Sequence, residues 1–489
     1  MARGVLRFLR RGKIVELASL PPMQTLLDYL RLDEKSKGTK EGCNEGDCGA
    51  CTVVLGSLQD GRVVYEPVNA CICLLGQIDG KELVTVDDLA INGTLHPLQK
   101  AFVDNHASQC GFCTPGFIMS LFTLYHAGKK PTWQEIVDHI AGNLCRCTGY
   151  RPIVDAAMKT CNGKPGDAWA KNAGETAAQL TKLDDGMDLQ VGGKDEFFAA
   201  PASLESLAVL SAAHPDATIV AGATDVGLWI TKQLRSLPKI IHVGRAVGLD
   251  AVTDSGGHIS IGAAATYSQA SSFLASVDPD IGEVIRRIGA KQVRSAGTVG
   301  GNIANGSPIG DMPPMLIALG ATLVLRHGGK ERSLALEDYF LGYGKQDRMI
   351  GELVWRVDVP KLKSNEVFRS YKLSKRFDQD ISAVMSAFKF TLDGRKIASA
   401  RIAFGGMAAT PKRAAIAEAA LRNVSLDDPQ GWDEAIAALA ADYQPIGDMR
   451  ASAEYRLASA QALLRKALME VASGNSTSTR IANARMEFA

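Results

Sequence analysis

Eight of the ten cysteines in this 489-residue chain fall into two groups, both within its first third. Three crowd one segment as Cys43-x4-Cys48-x2-Cys51, with Cys71 further on; the others pair as Cys110-x2-Cys113 and Cys145-x-Cys147. No other feature limits the fold so tightly, because sulfurs spaced in this way must be gathered around one inorganic centre by their own backbone. A C-x4-C-x2-C run with a distant fourth thiolate has the plant-type ligand spacing of a [2Fe–2S] cluster. Zinc also takes four thiolates, but its ligands usually arrive as C-x2–4-C knuckles, whereas here three share a loop. Gly42, Gly46 and Gly49 flank them and let the backbone wrap closely enough to aim N–H groups at sulfur. Ligand chemistry leaves the fourth position open between Cys71 and Cys73, which on a strand would face the same side. Taken alone, the second group suits zinc as well as iron; placed directly after the first, it reads as a second cluster. Two one-electron carriers in series point to electron transfer. Cys73 and Cys161 are expected as small core residues.

Composition narrows the class. Hydrophobic residues make up 46% and charged residues 22%, which suits packed cores rather than disorder, and the length suits about three or four domains. Lys+Arg 54 against Asp+Glu 53 leaves a net charge of +1, which argues against nucleic acid or an anionic membrane as the main partner. No apolar run approaches the ~18 residues of a membrane span. The basic start, residues 1–11, is followed by a charged stretch rather than an apolar one, so a cytoplasmic location is expected; there, clustered cysteines bind metal more often than they form disulfides.

Residues 1–90 predict a small mixed domain, with strands at 5–9 and 14–17 turning at Arg11-Gly12 and helical spacing at 25–32. Residues 91–162 predict helices. Thr114-Pro115 offers an N-cap with proline in the first turn of a helix reaching His126, and Thr132 with Glu135 forms a capping box. Residues 163–188 lack an apolar period and read as a linker. Residues 189–365 are α/β and rich in glycine. Residues 366–473 form a further unit, whose clearest signal is a hairpin of 384–392 and 397–404 about Asp393-Gly394, with helices near 411–421 and 453–471. Residues 474–489 are a tail, expected to be mobile. Two glycine-bearing segments, 220–227 and 296–302, are neither a Rossmann fingerprint nor a Walker A loop. Their small residues, hydroxyls and free amides suit a pyrophosphate; the plainer reading is a strand–turn–helix corner. The eight histidines are scattered and read as core or solvated side chains rather than bases.

Together these motifs resemble the xanthine dehydrogenase family of molybdenum hydroxylases. Residues 38–51 with Asn69-Ala70-Cys71 resemble its first cluster domain. Residues 109–116 and 142–152 resemble its second. Residues 220–227, Lys291-Gln292-Val293-Arg294-Ser295 through Asn302, and Ser307-Pro308-Ile309-Gly310-Asp311 resemble its FAD domain. The resemblance extends to about residue 470. It implies an α+β multidomain chain: a plant-type ferredoxin-like β-grasp domain, a four-helix [2Fe–2S] domain, an α/β FAD-binding domain of the PCMH type and a C-terminal α+β domain. It makes Cys71 the fourth ligand of the first cluster. It also implies FAD contacts from Val220, Ala221, Gly222, Ala223, Thr224, Asp225, Val226, Gly227, Thr298, Gly301, Asn302, Asp311, Leu353 and Lys372. Tyr343 and Gln379 are implied near NAD, and Gln109 at a partner's pterin.

The family's large molybdenum domain has no counterpart in these residues, so the molybdenum cofactor is expected on a large partner subunit. The implied assembly is a dimer of such heterodimers. Substrate chemistry then belongs to the partner, and no catalytic residue is expected in this chain. The implied role is that of the iron–sulfur/FAD small subunit of a bacterial xanthine dehydrogenase, with two [2Fe–2S] clusters, FAD, and NAD as acceptor. The alternatives are an equivalent subunit serving another heterocycle or aldehyde, one using a non-NAD acceptor, and a zinc-stabilised docking scaffold. Two positions depart from the animal members of the family: Ile288 stands where an aromatic residue would stack on the flavin, and Gln379 puts an amide in the middle of the acidic Asp378-Gln379-Asp380.

Overall fold

Arg11 and Gly12 both take positive φ, 51° and 69°, the geometry of a tight hairpin turn. The flanking strands β1 (Leu6–Arg10) and β2 (Lys13–Leu17) accordingly pair antiparallel. The computed structural model describes residues 2–474 and residue 479; the rest of the expected tail lies outside the described residues. The chain divides into two units, Met1–Val247 with Gly289–Gly297, and Gly248–Ile288 with Thr298–Ala489.

In the first unit β1 also runs parallel to β5 (Glu82–Val84), which pairs with β3 (Thr52–Gln59), and β3 pairs with β4 (Arg62–Asn69), giving the order β2-β1-β5-β3-β4. The short α1 (Leu26–Asp28), capped by Thr25, continues as a π-helical turn and sets Leu26 and Leu30 against Phe8 and Val53 in the core. After α2 (Val86–Leu89) come four helices, α3 (Pro97–Asp104), α4 (Thr114–Tyr125), α5 (Trp133–Ile140) and α6 (Arg151–Thr160), closed around Phe117, Leu121, Ile136 and Ile153. The capping box of α5 is present, Thr132 and Glu135 each accepting from the other's amide. At α4 the cap is Cys113, not Thr114, whose hydroxyl turns to Ser108 at 2.8 Å. Pro115 tolerates this shift because no first-turn N–H has an intrahelical acceptor.

The segment 163–188 is not a structureless linker. It carries α7 (Ala168–Lys171) and α8 (Ala173–Leu183), and Leu180 and Leu183 of α8 pack on Leu9. Two leucines are too few to make a visible apolar period, which is why the composition concealed the helix. Ahead of α7, Asp167 Oδ2 meets His96 Nε2 at 2.8 Å and His126 Nε2 at 2.9 Å. Burial pushes this carboxyl up, but the two imidazoles and the Ala170 amide outweigh it and hold the group well below the usual range.

Close by, Glu82 is buried on β5 and its carboxyl rises to about 7, through burial opposed by hydrogen bonds from Tyr65 and Trp169. A raised carboxyl keeps its proton in the fold after the unfolded chain has lost it. Its contribution to stability is therefore full below the ordinary glutamate value and is lost as pH climbs to about 7, roughly 3 kcal/mol at most. We expect Glu82→Gln to flatten the decline in stability between pH 5 and 7 in denaturant titrations; equal slopes in variant and wild type would refute it.

The first unit ends with a second sheet. Strands β6 (Leu189–Gly192), β7 (Phe197–Ala200), β8 (Thr218–Val220) and β9 (Lys239–His242) lie in the order β6-β7-β9-β8, with α9 (Leu204–Ala213) and α10 (Val226–Thr231) between them in sequence. The chain later returns to this unit as the single turn α13 (Lys291–Arg294).

In the second unit β10 (Val252–Asp254), β11 (His258–Gly262), β12 (Thr322–His327), β13 (Lys330–Ala335) and β16 (Leu353–Pro360) form an antiparallel sheet in the order β10-β11-β16-β12-β13. Its core takes side chains from α11 (Tyr267–Val277), α12 (Pro279–Arg286), α14 (Val299–Asn305) and the wholly buried α15 (Met312–Leu319). A small hairpin, β14 (Phe340–Gly342) with β15 (Lys345–Gln346), stands apart. The expected Asp393-Gly394 hairpin is present as β18 (Val384–Asp393) and β19 (Lys396–Gly405), in a sheet with β17 (Glu366–Leu373) and β20 (Lys412–Arg413). This sheet packs on α16 (Ala415–Ala420), α17 (Asp433–Asp442) and α18 (Ala453–Ala472). Helix α17 was not anticipated, its alanine-rich sequence having little amphipathic contrast. The glycine-rich α/β segment 189–365 is thus shared between the two units.

Candidate functional site

The β3–β4 hairpin explains how distant cysteines meet. Thr52 pairs with Asn69, so Cys51 and Cys71 stand just beyond the same hairpin end, joined by Ala70 N–H donating to Cys51 O at 3.3 Å. The loop before β3 turns back on itself through Asn44, Gly46 and Gly49, with φ of 56°, 78° and 68°, and carries Cys43 and Cys48 to the same place. The Cys48 and Cys71 side chains act on Cys43, and those of Cys43 and Cys51 on Cys71. Facing the Cys48 and Cys71 side chains and the amides of Cys48 and Glu45, Cys43 is held below the ordinary thiol value, while its neighbours Cys48 and Cys71 are pushed up. The Cys48 N–H donates to Cys43 Sγ at 3.3 Å. Cys73 does not join them. Residues 71–73 form a turn rather than a strand, and the Cys73 thiol points to Leu74 O at 3.7 Å. Cys161 is a fully buried residue of the helical core, as expected.

The second set lies at helix ends. Cys113 caps α4, and Cys145 and Cys147 occupy the loop before α6. Of the other cysteines, Cys145 influences Cys113 most, and Cys110 influences Cys147 most. Burial and the neighbouring cysteines push Cys113 up to about 12. Burial also acts upward on Cys145, but the Thr148 hydroxyl and the amides of Thr148 and Cys147 bring it below the ordinary value. Cys110 and Cys147 are exposed and Gln109 beside them is exposed too, whereas Cys51 and Cys71 are buried. The two sets touch through the backbone: Leu144 N–H, adjacent to Cys145, donates to Cys48 O at 3.0 Å. Among the described residues no group of three or more His, Cys, Asp or Glu side chains is placed to hold a single metal ion. Each set offers four soft sulfur donors, the donor chemistry of a two-iron cluster.

The segment 220–227 is a strand–turn–helix corner between β8 and α10. Ala223 is buried at φ 58°, and Gly227 N–H closes the turn on Ala223 O at 2.7 Å. Glycine is required here: a Cβ on Gly222 would lie 1.9 Å from Ala296 O, and one on Gly227 2.7 Å from Ile72 O. The corner therefore rests on the residue next to Cys71. Segment 296–302, by contrast, is a helix–turn–helix junction between α13 and α14 rather than a strand corner.

In the second unit Thr298 caps α14, its hydroxyl accepting from Gly301 N–H at 2.9 Å. Asn302 Oδ1 is buried without a hydrogen-bond partner, as a ligand-facing acceptor would be; that orphaned oxygen is the observation here that fits a bound flavin. Asp311 and Lys372 form a buried pair at 2.5 Å, with Ser382 Oγ donating to the other Asp311 oxygen at 2.5 Å. Leu353 is buried at the start of β16, while Tyr343, between β14 and β15, is 78% exposed. Gln379, at φ 62°, lies in a loop that the sequence did not show to be anchored. Arg287, on α12's C-terminal edge, donates to Phe377 O and Lys372 O at 2.9 and 3.1 Å, its guanidinium 4.3 Å from the Phe377 ring. Arg286 pairs with Asp378 at 3.0 Å. Ile288 packs at the edge of the unit's core.

Family models match in chain order. A 2Fe-2S iron-sulfur cluster binding domain covers residues 10–76, and a [2Fe-2S] binding domain covers 85–158. The FAD binding domain in molybdopterin dehydrogenase covers 192–362, and the CO dehydrogenase flavoprotein C-terminal domain covers 369–471. The chain has the iron–sulfur and FAD domains of a molybdenum hydroxylase. Xanthine dehydrogenase/oxidase of Rattus norvegicus is 31% identical over 459 residues, which cover 83% of this chain and 34% of that protein. Xanthine dehydrogenase of Emericella nidulans is 29% identical over 496 residues, 90% and 36% respectively. The chain thus spans about a third of the length of these curated relatives. Among solved structures, the reconstituted CO dehydrogenase from Oligotropha carboxidovorans aligns with a TM-score of 0.54 at 29% identity, covering 58% of this chain and 99% of that one. Quinoline 2-oxidoreductase from Pseudomonas putida 86 aligns at 0.52 and 26% identity, covering 57% and 97%. The multidomain α+β fold of a molybdenum hydroxylase's iron–sulfur and flavin parts is borne out. No described helix is long and apolar enough to cross a membrane.

Proposed function

We propose that this chain is the electron-transfer subunit of a cytoplasmic xanthine dehydrogenase, carrying electrons from a molybdenum-cofactor subunit to NAD as hypoxanthine and xanthine are oxidised to urate. The observation that supports this most is the pair of four-sulfur sets, one with Cys110 and Cys147 at the surface and the other with Cys51 and Cys71 buried, laced together by the Leu144–Cys48 hydrogen bond. Cys110, Cys113, Cys145 and Cys147 would hold the cluster nearer the partner, with Gln109 reaching its pterin. Cys43, Cys48, Cys51 and Cys71 would hold the second. Residues 220–227, Thr298, Gly301, Asn302, Asp311, Leu353 and Lys372 would hold FAD, and Tyr343 and Gln379 would meet NAD. When bound, the clusters supply one-electron transfer and FAD the conversion to hydride chemistry. The chain's own part is to fix the ligands, to hold the Cys48 N–H on sulfur and to keep the buried set dry; such hydrogen bonds and burial set a cluster's potential. The assembly in this reading is a dimer of heterodimers.

A second reading keeps the electron-transfer role but gives the partner another heterocycle or aldehyde, or the flavin another acceptor; the amide of Gln379 within the acidic loop favours it. The test is to co-express the chain with its molybdenum subunit and follow oxidation of xanthine, quinoline and aldehydes with NAD or a dye. Xanthine-dependent NAD reduction supports the proposal. Turnover of only another substrate, or only with the dye, selects the second reading. No turnover by a complex fully loaded with iron, flavin and molybdenum refutes both.

A further inference from the structure

We infer that Gln292 is a positioning residue for electron passage between the two sulfur sets, an inference that rests on the electron-transfer reading above. Gln292 lies on α13, far in sequence from both sets, yet its side chain is among the most buried polar groups of the first unit, 1% exposed. Its Nε2 stands 3.1 Å from Thr52 Oγ1, 3.0 Å from Ser120 Oγ and 3.1 Å from Asn143 Oδ1, and these three are themselves at most 2% exposed. Each partner belongs to a ligand-bearing element. Thr52 follows Cys51, Ser120 is on the helix capped by Cys113, and Asn143 is two residues before Cys145.

The node closes on the contact between the sets. Ser120 Oγ donates to Asn143 Oδ1 at 2.6 Å, and Asn143 Nδ2 donates to Gly49 O at 3.1 Å. Beside it Leu144 N–H donates to Cys48 O at 3.0 Å. Two adjacent hydrogen bonds thus stitch residues 48–49 to 143–144, and they define a route from one ligand to the other with a single non-covalent step, Cys48 C=O to the amide that precedes Cys145. Three glycines make the approach possible. A Cβ would come within 2.1 Å of Gly142 O at Gly49, within 2.1 Å of Gly49 O at Gly116, and within 2.2 Å of Gln292 Oε1 at Gly142.

Packing alone does not account for the glutamine. Its Oε1 is buried without a partner, a cost that an apolar side chain of the same shape would avoid. The amide is kept for what its NH2 group orients. Gln292 touches no sulfur, so its effect on the clusters is exerted through the loops that it holds.

The experiment compares wild type with Gln292→Met, which keeps length and volume but removes the donor, using the full chain with its iron restored. Redox titration followed by EPR reads the potentials, the spin count and the coupling between the two reduced-cluster signals. The expected result is both signals at wild-type spin count, weaker coupling between them, and a lower potential for the buried set. The shift should approach tenfold in its reduction equilibrium, about 60 mV for one electron. Ser120→Ala should move the same quantities in the same direction by less, and it decides the matter if Gln292→Met fails to take up iron. Unchanged potential and coupling in the deciding variant would overturn the inference. A wild-type chain with fewer than two [2Fe–2S] signals would remove the electron-transfer reading, and this inference with it. A shift in the variants of a protein that NADH does not reduce would uphold the role of Gln292 while failing the NAD assignment.

Discussion

Replacing Cys113 by serine is expected to halve the iron content, to abolish one of two reduced-state EPR signals, and to stop substrate-driven turnover while NADH still reduces the flavin. Cys113 caps α4, where the unpaired amides of the first turn favour negative charge, and the cysteine that acts on it most is Cys145, whose thiol lies below its ordinary value. A serine hydroxyl is far harder to deprotonate than a thiol and is a hard donor where iron–sulfur chemistry needs a soft one. The first sulfur set draws on other elements, the β3–β4 hairpin and the loop before it, so its signal should survive with the fold intact. Loss of both signals from a folded variant would show that the sets are not independent sites.

The second large effect is expected at Lys372. Lys372 and Asp311 are 6% and 8% exposed, and their ammonium and carboxylate are 2.5 Å apart. Lys372→Met leaves that carboxylate with the Ser382 hydroxyl as its side-chain hydrogen-bond donor and Arg287 as the neighbouring cation. Removing one partner of a buried ion pair costs about 3–5 kcal/mol, because the remaining charge stays desolvated. The unfolding midpoint of the second unit should fall accordingly, and the purified variant should lose its flavin. Adding Asp311→Leu should recover most of the stability, since a matched apolar pair avoids the stranded charge, without recovering the flavin. A single variant as stable as wild type would show that the pair does not contribute to the stability of the unit; a double variant that regained flavin would remove both residues from the FAD site.

What could be read from the sequence follows from how far apart the interacting residues are. The eight-cysteine pattern was legible because each loop's ligands are a few residues apart and their spacing is itself the chemical signal. The Arg11-Gly12 and Asp393-Gly394 hairpins were legible for the same local reason. Choosing Cys71 over Cys73 rested on family resemblance rather than on any local rule, because the pairing of Thr52 with Asn69, which carries Cys71 round to Cys51, is a property of the folded hairpin. The contacts of Gln292 were not legible, since its partners Thr52, Ser120 and Asn143 come from three separate segments, and neither was the His96–Asp167–His126 cluster. Helices α7 and α8 were hidden because the only buried apolar residues of α8 are Leu180 and Leu183, beside the polar Thr176. The flavin and NAD residues came from family resemblance, since no local rule links Val220 to Lys372. The structure adds what that resemblance did not, an orphaned Asn302 oxygen and the closed Asp311–Lys372–Ser382 group.

The most direct test of the electron-transfer account is an anaerobic titration of the purified chain with NADH, followed by visible absorbance. The account predicts that the flavin and iron–sulfur bands bleach together, placing the NAD site and every carrier on this polypeptide. A chain that dithionite bleaches but NADH leaves coloured would contradict NAD as the acceptor, and one that shows no flavin or iron–sulfur absorbance after reconstitution would contradict the account as a whole.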